Sequence, residues 1–318
     1  MIVRISAALI FLARSVGIAS ALLLLLGLAQ DVAWPMAAYA AWSGWAGAAL
    51  TAAAALRLAT RPAPWPWPGV WALALFWGTW HAWEPPGRPA DPGWTGPGAR
   101  VVVANAFRHN ETLEEAAIAV ARQQPDVLVV LEATAAVRDA MLRHVAHHHA
   151  WWAPEGDGAH GGVLVLSRYA PEGEARVAPP EGSFGRDAIE VVLRAPFGPV
   201  RLLAAHPRSP LSEPARQERA LTLAGLSARL RQPGPPAIVA GDLNTTPRIR
   251  DWRLLDPDGR LAGATPWWIG TFPARFGMAG IAIDHVLAGP GLAAVGPVPF
   301  EIPGSDHRGI LSELRPAR

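Results

Sequence analysis

Residues 237–244 read Ala-Ile-Val-Ala-Gly-Asp-Leu-Asn, an apolar run of strand length that ends at a glycine and is followed by the polar side chains Asp242 and Asn244. Along the chain, such runs repeatedly end at residues that can bind a metal ion or a phosphate. These residues are Asn105, Glu132, His206, Asp242 with Asn244, Asp284 with His285, and Asp306 with His307. One polar residue after a strand is ordinary, but six such places in one chain favour a single chemical site.

From Arg100 onward, short apolar runs alternate with stretches of helical spacing. We predict helices over 111–124, with Asn110 as a possible cap, over 134–145, and from a cap at Ser212 to residue 231. The predicted strands cover 101–104, 127–131, 162–166, 189–193, 200–205, 237–240, 281–287 and 309–314. The fourth and fifth of these fit a hairpin. This mixture of hairpins and alternating units predicts an α/β domain in which sheet layers are covered by helices.

The composition excludes several kinds of site. The 318 residues include no cysteine, so a disulfide scaffold, a thiol nucleophile and a thiolate metal site are all excluded. All 28 basic residues are arginine, and from Arg100 onward 23 arginines balance 23 acidic residues. Because this part of the chain has no net charge, its composition argues against binding of long nucleic acids through their phosphate backbone.

Before residue 84 the chain has three long apolar stretches. Residues 5–30 are interrupted only by Arg14, residues 36–56 carry no charge, and neither do the residues between Arg61 and Glu84. Each stretch approaches the roughly 20 residues that cross a hydrocarbon core of about 30 Å. Ten of the fifteen tryptophans precede residue 95, many near the ends of these stretches, where aromatic rings settle at a membrane interface. We therefore predict three transmembrane helices, with the lipid bilayer as a partner.

Arginine placement predicts how these helices are oriented. Arg4 and Arg14 flank the start of the first stretch, Arg57 and Arg61 occupy the second loop, and the first loop holds only Asp31. Positively charged loops stay in the cytoplasm. Three crossings then place the rest of the chain outside the cytoplasm, in the periplasm or at the exterior of a bacterial cell.

These patterns divide the chain into three parts. We predict a membrane domain at 1–84, a linker rich in proline and glycine at 85–99, and a globular domain at 100–318, held at the bacterial inner (cell) membrane. Two alternatives remain for the apolar stretches. The first stretch resembles a secretory signal peptide, and a buried helical hairpin inside a soluble protein is the other interpretation.

Several short sequence strings of the predicted globular domain, residues 100–318, occur in an order typical of one family. They are Gln-Pro-Asp-Val-Leu-Val-Val-Leu-Glu at 124–132, Gly-Val-Leu-Val-Leu-Ser-Arg at 162–168, Gly-Asp-Leu-Asn at 241–244, Ile-Asp-His at 283–285 and Ser-Asp-His at 305–307. The set resembles the endonuclease/exonuclease/phosphatase family, metal-dependent phosphodiesterases that include deoxyribonuclease I, exonuclease III, neutral sphingomyelinases and inositol polyphosphate phosphatases. The resemblance covers 100–314 and implies two packed β-sheets flanked by helices, an αββα sandwich with the site at one rim. Three membrane spans before such a domain resemble the membrane-anchored bacterial branch of this family.

The residue types at the strand ends suit phosphodiester hydrolysis. This reaction needs neutralised charge on the non-bridging oxygens, a deprotonated water in line with the leaving oxygen, and help for that leaving oxygen. Glu132 and Asn105 offer oxygen ligands of the kind that Mg²⁺ or Mn²⁺ prefers. A divalent cation is therefore the expected cofactor.

The resemblance implies a role for each remaining polar residue. Asp242 would orient or deprotonate the attacking water, and Asn244 would hold that water or a phosphate oxygen. Asp284 would orient His307 and, because an aspartate raises the pKa of an imidazole beside it, keep His307 cationic against phosphate. The two remaining assignments are His206, which would bind or protonate the phosphate, and Asp306, which would complete the metal or histidine environment. Which group acts as the general base stays open.

The favoured function is a membrane-anchored, divalent-metal-dependent phosphodiesterase or phosphatase outside the cytoplasm, acting on a lipid headgroup or a small phosphoester. An extracytoplasmic nuclease with the same site is the alternative, so nucleic acid is a possible but not a favoured partner. A non-catalytic, membrane-linked binding module is the alternative from another class.

Other features allow a structural interpretation. The histidines at 144 and 147–149 indicate a solvated helix end, and the glycines at 156–162 a mobile loop. The tryptophans at 151, 152, 267 and 268 fit a stacking or lipid-facing rim as well as core packing. Arg186 and Arg208 are candidate phosphate contacts.

Overall fold

The computed structural model describes residues 7–28, 37–60, 67–83, 88–155, 161–177 and 188–318. These residues form two compact units. The first consists of the chain up to Pro85 together with Arg248–Arg250, and the second contains the rest.

The described part of the first unit is helical. It contains α1 (Ala7–Leu28), α2 (Ala37–Ala41), α3 (Ser43–Thr60) and α4 (Trp67–Ala82). Leu24 of α1 is buried together with Ala46 and Leu50 of α3. Among the described residues, one helix is both long and apolar enough to cross a membrane, over Leu9–Leu28 with a mean hydropathy of 2.3. The described residues of the three apolar stretches are mostly helical, with a turn at Trp42 between α2 and α3, and α1 is the helix among them that meets the criteria for a membrane span.

The second unit alternates strands and helices. In chain order its elements are β1 (Ala99–Asn105), α5 (Leu113–Ala121), β2 (Val127–Leu131), α6 (Ala135–His144), β3 (His149–Pro154), β4 (Gly162–Ser167), β5 (Arg176–Val177), β6 (Ala188–Ala195), β7 (Gly198–Ala205), α7 (Glu213–Leu230), β8 (Ala237–Asp242), α8 (Trp252–Leu255), β9 (Asp284–Ala288), β10 (Leu292–Glu301) and β11 (Arg308–Pro316). A 3-10 helix at Ala274–Ala279 precedes β9.

The strands form two mixed sheets. One sheet has the order β10-β11-β1-β2-β4-β3, and the other has the order β5-β6-β7-β8-β9. In each sheet one pair is parallel, β1 with β2 and β7 with β8, and the remaining pairs are antiparallel. Each parallel pair is joined through a helix, α5 or α7, as a crossover connection requires. The hairpin predicted for 189–193 and 200–205 is β6 with β7.

The two sheets pack face to face, and helices cover their outer faces. On β1, Val101 and Val103 point into the core between the sheets, while Val102 and Ala104 pack beneath α5 and α6. The other sheet is covered by α7, whose Leu223 and Leu226 meet its outer face. Successive side chains of a strand point to opposite faces, so a strand covered on both sides is apolar throughout. The predicted α/β class with two packed, helix-flanked sheets is confirmed.

Two details of the helix predictions were wrong at the start of α5. The helix begins at Leu113, two residues later than predicted, and its cap position is Thr112. Asn110 does not cap it. Its Oδ1 accepts hydrogen bonds from Thr112, while its Nδ2 donates to the carbonyl oxygen of Pro303 at 2.8 Å. The cap predicted at Ser212 is confirmed, since its hydroxyl accepts from Ala215 N.

Part of the predicted linker packs against the strands of the second unit. The guanidinium of Arg88 donates to the carbonyl oxygens of Arg260 and Leu292, at 2.6 and 2.8 Å. Ala90 forms a bridge with Ala317. One arginine that binds several carbonyls can fix a segment otherwise rich in proline and glycine. The domain limits at residues 84 and 99 stay predictions.

Candidate active site

The fold brings the predicted strand-end residues to one rim. The parallel pairs β1–β2 and β7–β8 end at this rim, so their carboxyl ends carry Asn105, Glu132, His206 and Asp242 there. The antiparallel neighbours β9 and β11 begin at the same rim, and Asp242 and Asp284 are direct register partners. Side chains separated by up to about two hundred positions of sequence therefore meet because of strand direction.

Asn105 joins the two sheets. Its side chain is fully buried, and its Nδ2 donates to Asp242 Oδ2 at 3.1 Å and lies 3.4 Å from Glu132 Oε1. Its Oδ1 accepts from the backbone N–H of Phe107 at 3.0 Å. Because both ends of the amide have partners, its orientation is fixed between the two carboxylates.

Glu132 follows β2 in a left-handed backbone conformation, with φ of +53°. Its Oε2 accepts from the backbone N–H of Arg108 at 2.9 Å, which turns the carboxylate toward Asn105. Gly161 lies against it, and a Cβ there would be 2.9 Å from the Cα of Glu132. A non-glycine residue in this conformation costs about 1–3 kcal/mol, so the surrounding loop must hold Glu132 in place.

Several donors of the rim surround the carboxylate of Asp242. Its Oδ1 accepts from Asn244 N at 2.9 Å, and its Oδ2 lies 3.5 Å from His206 Nε2 and 3.7 Å from His307 Nε2. Burial raises the pKa of Asp242, but the hydrogen bond from His206 and the charge of His307 outweigh burial and lower that pKa to about 2. Asp242 is therefore an anion at neutral pH.

Gly241 permits the close approach of β7 and β8 just before Asp242. Its φ is +155°, and a Cβ on it would lie 2.0 Å from the carbonyl oxygen of Ala205. A side chain at this position would push β8 away from the end of β7. The glycine of the Gly-Asp-Leu-Asn string is thus explained by packing.

Asp284 and His307 form a buried pair. His307 Nδ1 lies 2.9 Å from Asp284 Oδ2, and the ring of Phe272 packs on the imidazole with a centroid distance of 4.7 Å. Burial lowers the pKa of His307, but the charges of Asp284 and Asp242 outweigh burial and raise that pKa to about 10. His307 is therefore cationic at neutral pH, with Nδ1 donating to Asp284 and Nε2 directed at Asp242.

His206 lies on the other side of Asp242 and is largely buried. Burial lowers the pKa of His206, but its hydrogen bond to Asp242 and the charge of that carboxylate outweigh burial and raise it. Asn244 completes this side, since its Nδ2 donates to Pro207 O at 3.0 Å and lies 3.5 Å from His206 Nε2. One carboxylate thus stands between two imidazoles, whose positive charges stabilise it.

Asp306 lies at the same rim and has an unusual environment. Within the described part of the chain, its buried Oδ1 has no hydrogen-bond partner, and the same is true of Asp284 Oδ1. Burial raises the pKa of Asp306, and the nearby charges of Glu132 and Asp242 raise it further against the opposing effect of His307. Buried carboxylate oxygens without partners are costly unless a cation or water reaches them.

The carboxylate oxygens at the rim fit a divalent cation. Ligand atoms of Asp242, Asp284 and His307 lie within 4.8 Å of one another, close enough to hold a metal ion. However, His307 with a raised pKa donates from Nδ1 and carries a proton on Nε2, so it makes a poor ligand. The carboxylates of Glu132 and Asp306 are hard ligands of the kind that Mg²⁺ or Mn²⁺ prefers. Asn105 turns its Nδ2 toward the carboxylates, so its Oδ1, which accepts from Phe107 N, has one lone pair left for a metal ion.

The sequence missed two residues that hold the rim together. Ser305 donates from Oγ to Asn105 O at 2.7 Å and accepts from His307 N at 3.0 Å. Asn110 lies after β1, and its Nδ2 donates to Ala106 O and to Pro303 O. It therefore ties the end of β1 to the loop between β10 and β11. The string Ser-Asp-His contained the signal for Ser305, because a serine two residues before a site histidine can accept its backbone N–H.

His285 does not join the site, although it occurs in the Ile-Asp-His string. Its Nδ1 accepts from Thr265 N, and its Nε2 donates to Thr245 O, both at 3.0 Å. Burial lowers the pKa of His285, so the ring is neutral. Next to Asp284 on β9, it points to the opposite face, where its ring meets Trp252 edge-on.

The other candidate residues lie apart from this network. Trp151 packs on the inter-sheet core, and Trp152 donates to Ala133 O. Trp267 and Trp268 pack at right angles. Arg208 is 55% exposed and pairs with Glu218 and Glu155. His144 ends α6 beside Glu114, whereas His149 opens β3, so only the first part of the histidine cluster is a helix end. Arg186 and the glycines at 156 and 158 lie outside the described residues.

Comparison with known proteins agrees with this geometry. The sequence model of the Endonuclease/Exonuclease/phosphatase family matches residues 104–307, which contain every rim residue described above. No curated protein matches the chain.

Solved structures show the same fold. The endonuclease/exonuclease/phosphatase from Beutenbergia cavernae is 20% identical with a TM-score of 0.56, and the match covers 70% of this chain and 72% of that one. Humanized D. rerio TDP2 is 13% identical with a TM-score of 0.56, covering 69% and 99%. Sphingomyelinase C from Streptomyces griseocarneus is 20% identical with a TM-score of 0.50, and the match covers 69% of this chain and 99% of that one.

Proposed function

The chain belongs to the endonuclease/exonuclease/phosphatase family, and from this premise we propose that it is a metal-dependent hydrolase of phosphate esters. The observation that carries the proposal is the position of Asp242, an anion held between His206 and His307 with Asn105 as a third donor. A scaffold that only binds a partner has no use for a buried carboxylate between two imidazoles, because burying such charges costs free energy.

We assign the proton transfers to the pair Asp242 and His206. A bound phosphate raises the pKa of the neighbouring Asp242, which can then accept a proton from the attacking water. The water oxygen forms the new bond to phosphorus, the bond to the leaving oxygen breaks, and His206 gives that oxygen a proton. The contact of 3.5 Å between Asp242 and His206 lets the proton return afterwards.

Two further residues act on the phosphate itself. The cationic ring of His307, held by Asp284, stabilises the charge on the non-bridging oxygens. Asn244, fixed by Asp242 and Pro207, orients the water or one phosphate oxygen. These roles need side chains that do not move during the reaction, and each has a hydrogen-bond partner that restrains it.

Glu132, Asn105 and Asp306 would hold the divalent cation. When bound, the cation neutralises charge on the phosphate oxygens and on the leaving oxygen. Glu132 is already turned toward the rim by Arg108 N, and the partnerless oxygen of Asp306 has a use as a ligand or as an acceptor from a water.

We further propose that the chain is anchored in a bilayer, with three crossings and the hydrolase outside the cytoplasm at the bacterial cell membrane. The side chains of α1 and α4 support anchoring. Phe11 and Ile18 are 72% and 60% exposed, and Leu73 and Phe76 are 71% and 70% exposed. Apolar surface of this extent is unfavourable in water and normal in lipid. The arginine pattern of the sequence supports the orientation.

The substrate class that fits best is a phosphoester at a lipid surface, a lipid headgroup or a small phosphoester nearby. The 3-10 helix at Ala274–Ala279 adjoins the rim, since Ala274 N donates to Asp306 O at 2.6 Å. It presents Phe276 and Met278, which are 49% and 59% exposed. Exposed apolar side chains beside the site favour an amphiphilic substrate over a polyanion. The charge balance agrees, because the sequence from Arg100 onward has no excess of basic residues.

A substrate panel tests the proposal. Purified full-length protein with Mg²⁺ or Mn²⁺ is incubated with phospholipid vesicles, single- and double-stranded DNA and an aryl phosphodiester, and EDTA serves as the control. We expect metal-dependent hydrolysis, greatest on vesicles, that Glu132→Gln removes and Glu301→Gln, at an exposed position, does not. Preference for DNA would favour the nuclease, and inactivity on all substrates would favour a binding module.

A further inference from the structure

The loop after β8 is held by two buried side chains that do not belong to the rim. The guanidinium of Arg219 on α7 donates to the carbonyl oxygen of Asn244 and, at 2.6 Å, to a carboxylate oxygen of Asp251. Nε2 of His285 on β9 donates to the carbonyl oxygen of the next residue, Thr245, at 3.0 Å. Two successive carbonyl groups of one loop are therefore fixed from two different elements.

Arg219 occupies a position where packing alone would favour an apolar side chain. It is fully buried and shares the core-facing side of α7 with Leu223 and Leu226, at the helical spacing of four and seven residues. A charge in such a place is costly unless it is paired and hydrogen-bonded. The planar guanidinium donates to a carbonyl from one nitrogen and to a carboxylate from another in a fixed geometry, which an apolar side chain or the single nitrogen of a lysine does not reproduce.

His285 is held in one tautomer. Because Thr265 N donates to its Nδ1, the proton of the neutral ring must be on Nε2, which is the atom that faces Thr245 O. Thr265 also donates from Oγ1 to Asp284 O at 2.6 Å. The same hydrogen-bond chain therefore reaches both Asp284, which holds His307, and the loop that carries Asn244.

The conformation of Asn244 explains why its carbonyl must be held. Asn244 has a φ of +49°, a left-handed conformation that asparagine adopts more readily than most residues but that still costs free energy, so hydrogen bonds from its surroundings help to keep it. In this conformation its N–H reaches Asp242 Oδ1 while its Nδ2 reaches Pro207 O, beside His206. Rotation of the peptide between Asn244 and Thr245 would break the hydrogen bond to Arg219, and rotation of the next peptide would break the one to His285, so the two side chains together restrain the backbone that carries the Asn244 side chain.

We propose that Arg219 and His285 are positioning residues, which act on the reaction by holding Asn244 and, through it, the geometry around Asp242. Neither side chain touches the substrate. The inference rests on the proposed hydrolytic function, because its effect is measured on that reaction.

Kinetics of purified full-length variants, measured well below the lowest midpoint of thermal unfolding, test the proposal. We expect Arg219→Met to lower kcat by an amount on the order of 10²-fold, as small displacements of reacting groups do, with KM changed by less than a factor of about three. Arg219→Lys keeps the charge beside Asp251 and is the variant to use if methionine prevents folding. It should lower kcat in the same direction.

Two controls separate positioning from stability. Arg229 lies on the same helix and pairs with Glu190 away from the Asn244 loop, so Arg229→Met should lower the unfolding midpoint and leave kcat unchanged. His285→Gln keeps both a donor and an acceptor and should retain kcat, whereas His285→Leu should lose it. If the wild-type protein is active and both Arg219 variants have an unchanged kcat, the inference is overturned. If the wild-type protein is itself inactive, the proposed function is overturned instead.

Discussion

At the scale of single residues, the site is organised around one oxygen atom. Asp242 Oδ2 lies within 3.7 Å of nitrogen atoms from Asn105, His206 and His307, which reach it from both sheets. Each of the two imidazoles has its pKa raised by this carboxylate, and they lower its pKa in return. The charges therefore stabilise one another, and removing one of them changes the protonation of the rest.

Asp284→Asn tests the charge of His307. In wild type the pKa of His307 is raised to about 10, so the cation persists well above neutral pH. Without the Asp284 charge, burial lowers that pKa, and the form that stabilises the phosphate is lost at lower pH. In the pH profile of kcat/KM, we expect the fall on the alkaline side to occur about 1–3 pH units lower in this variant than in wild type. Asp139→Asn, at a half-buried position on α6 where Asp139 pairs with Arg138, is the control, and an alkaline limb of the pH profile that stays in place would refute the assignment.

His285 makes a separate prediction about acid stability. Its pKa is lowered in the folded chain, so below its ordinary value of 6.5 the unfolded chain takes up a proton that the folded chain does not. Its contribution to stability is thus present above pH 6.5 and is lost as the pH falls, by about 1.4 kcal/mol for each unit between the two pKa values. Thermal unfolding from pH 7.5 to 5 should show a steeper loss for wild type than for His285→Gln. Parallel curves would contradict the prediction.

At the scale of elements, the strands predicted from the sequence are the inner ones and the buried edge strand β9. The runs at 127–131 and 200–205 are buried on both faces, so each is continuously apolar and easy to recognise. The missed strands β3, β5 and β10 are all edge strands. β10 contains two prolines and a glycine, which indicate a loop when read alone but are tolerated at an edge.

The contact between β7 and β8 gives a prediction at this scale. Gly241→Ala places a Cβ against Ala205 O and should lower the free energy of unfolding by roughly 2–4 kcal/mol, because the strands must separate. Gly198→Ala is the matched control, since Gly198 also has a positive φ, of +116°, but has open space around it. Chemical denaturation of both variants is the measurement. Equal losses would show that backbone conformation alone, and not the strand contact, explains the effect.

At the scale of the whole molecule, the site exists only where the two sheets meet. The sequence predicted the polar residues at strand ends, since each pattern is local. It did not reveal that Ser305 and Asn110 fasten the rim, or that Gly161 must be small beside Glu132. These roles depend on contacts between distant parts of the chain, which no local pattern contains.

The orientation in the membrane is a prediction for the complete chain. The proposed topology places Arg57 and Arg61 in the cytoplasm and has three crossings, so a reporter fused after Arg318 should be active only outside the cytoplasm. Paired fusions, one to a reporter that works only in the cytoplasm and one to a reporter that works only outside it, measure the outcome. Activity of the cytoplasmic reporter would overturn the arginine argument.

The most direct test of the central claim is the Mg²⁺-dependent hydrolysis of an aryl phosphodiester by wild type and by Asp242→Asn. Asp258→Asn, at an exposed position of the same unit, is the control. We predict that the Asp242 variant loses an amount on the order of 10²–10⁴-fold in kcat, as expected for a proton-transferring group, while the control matches wild type. Hydrolysis that continues unchanged in Asp242→Asn would contradict the account.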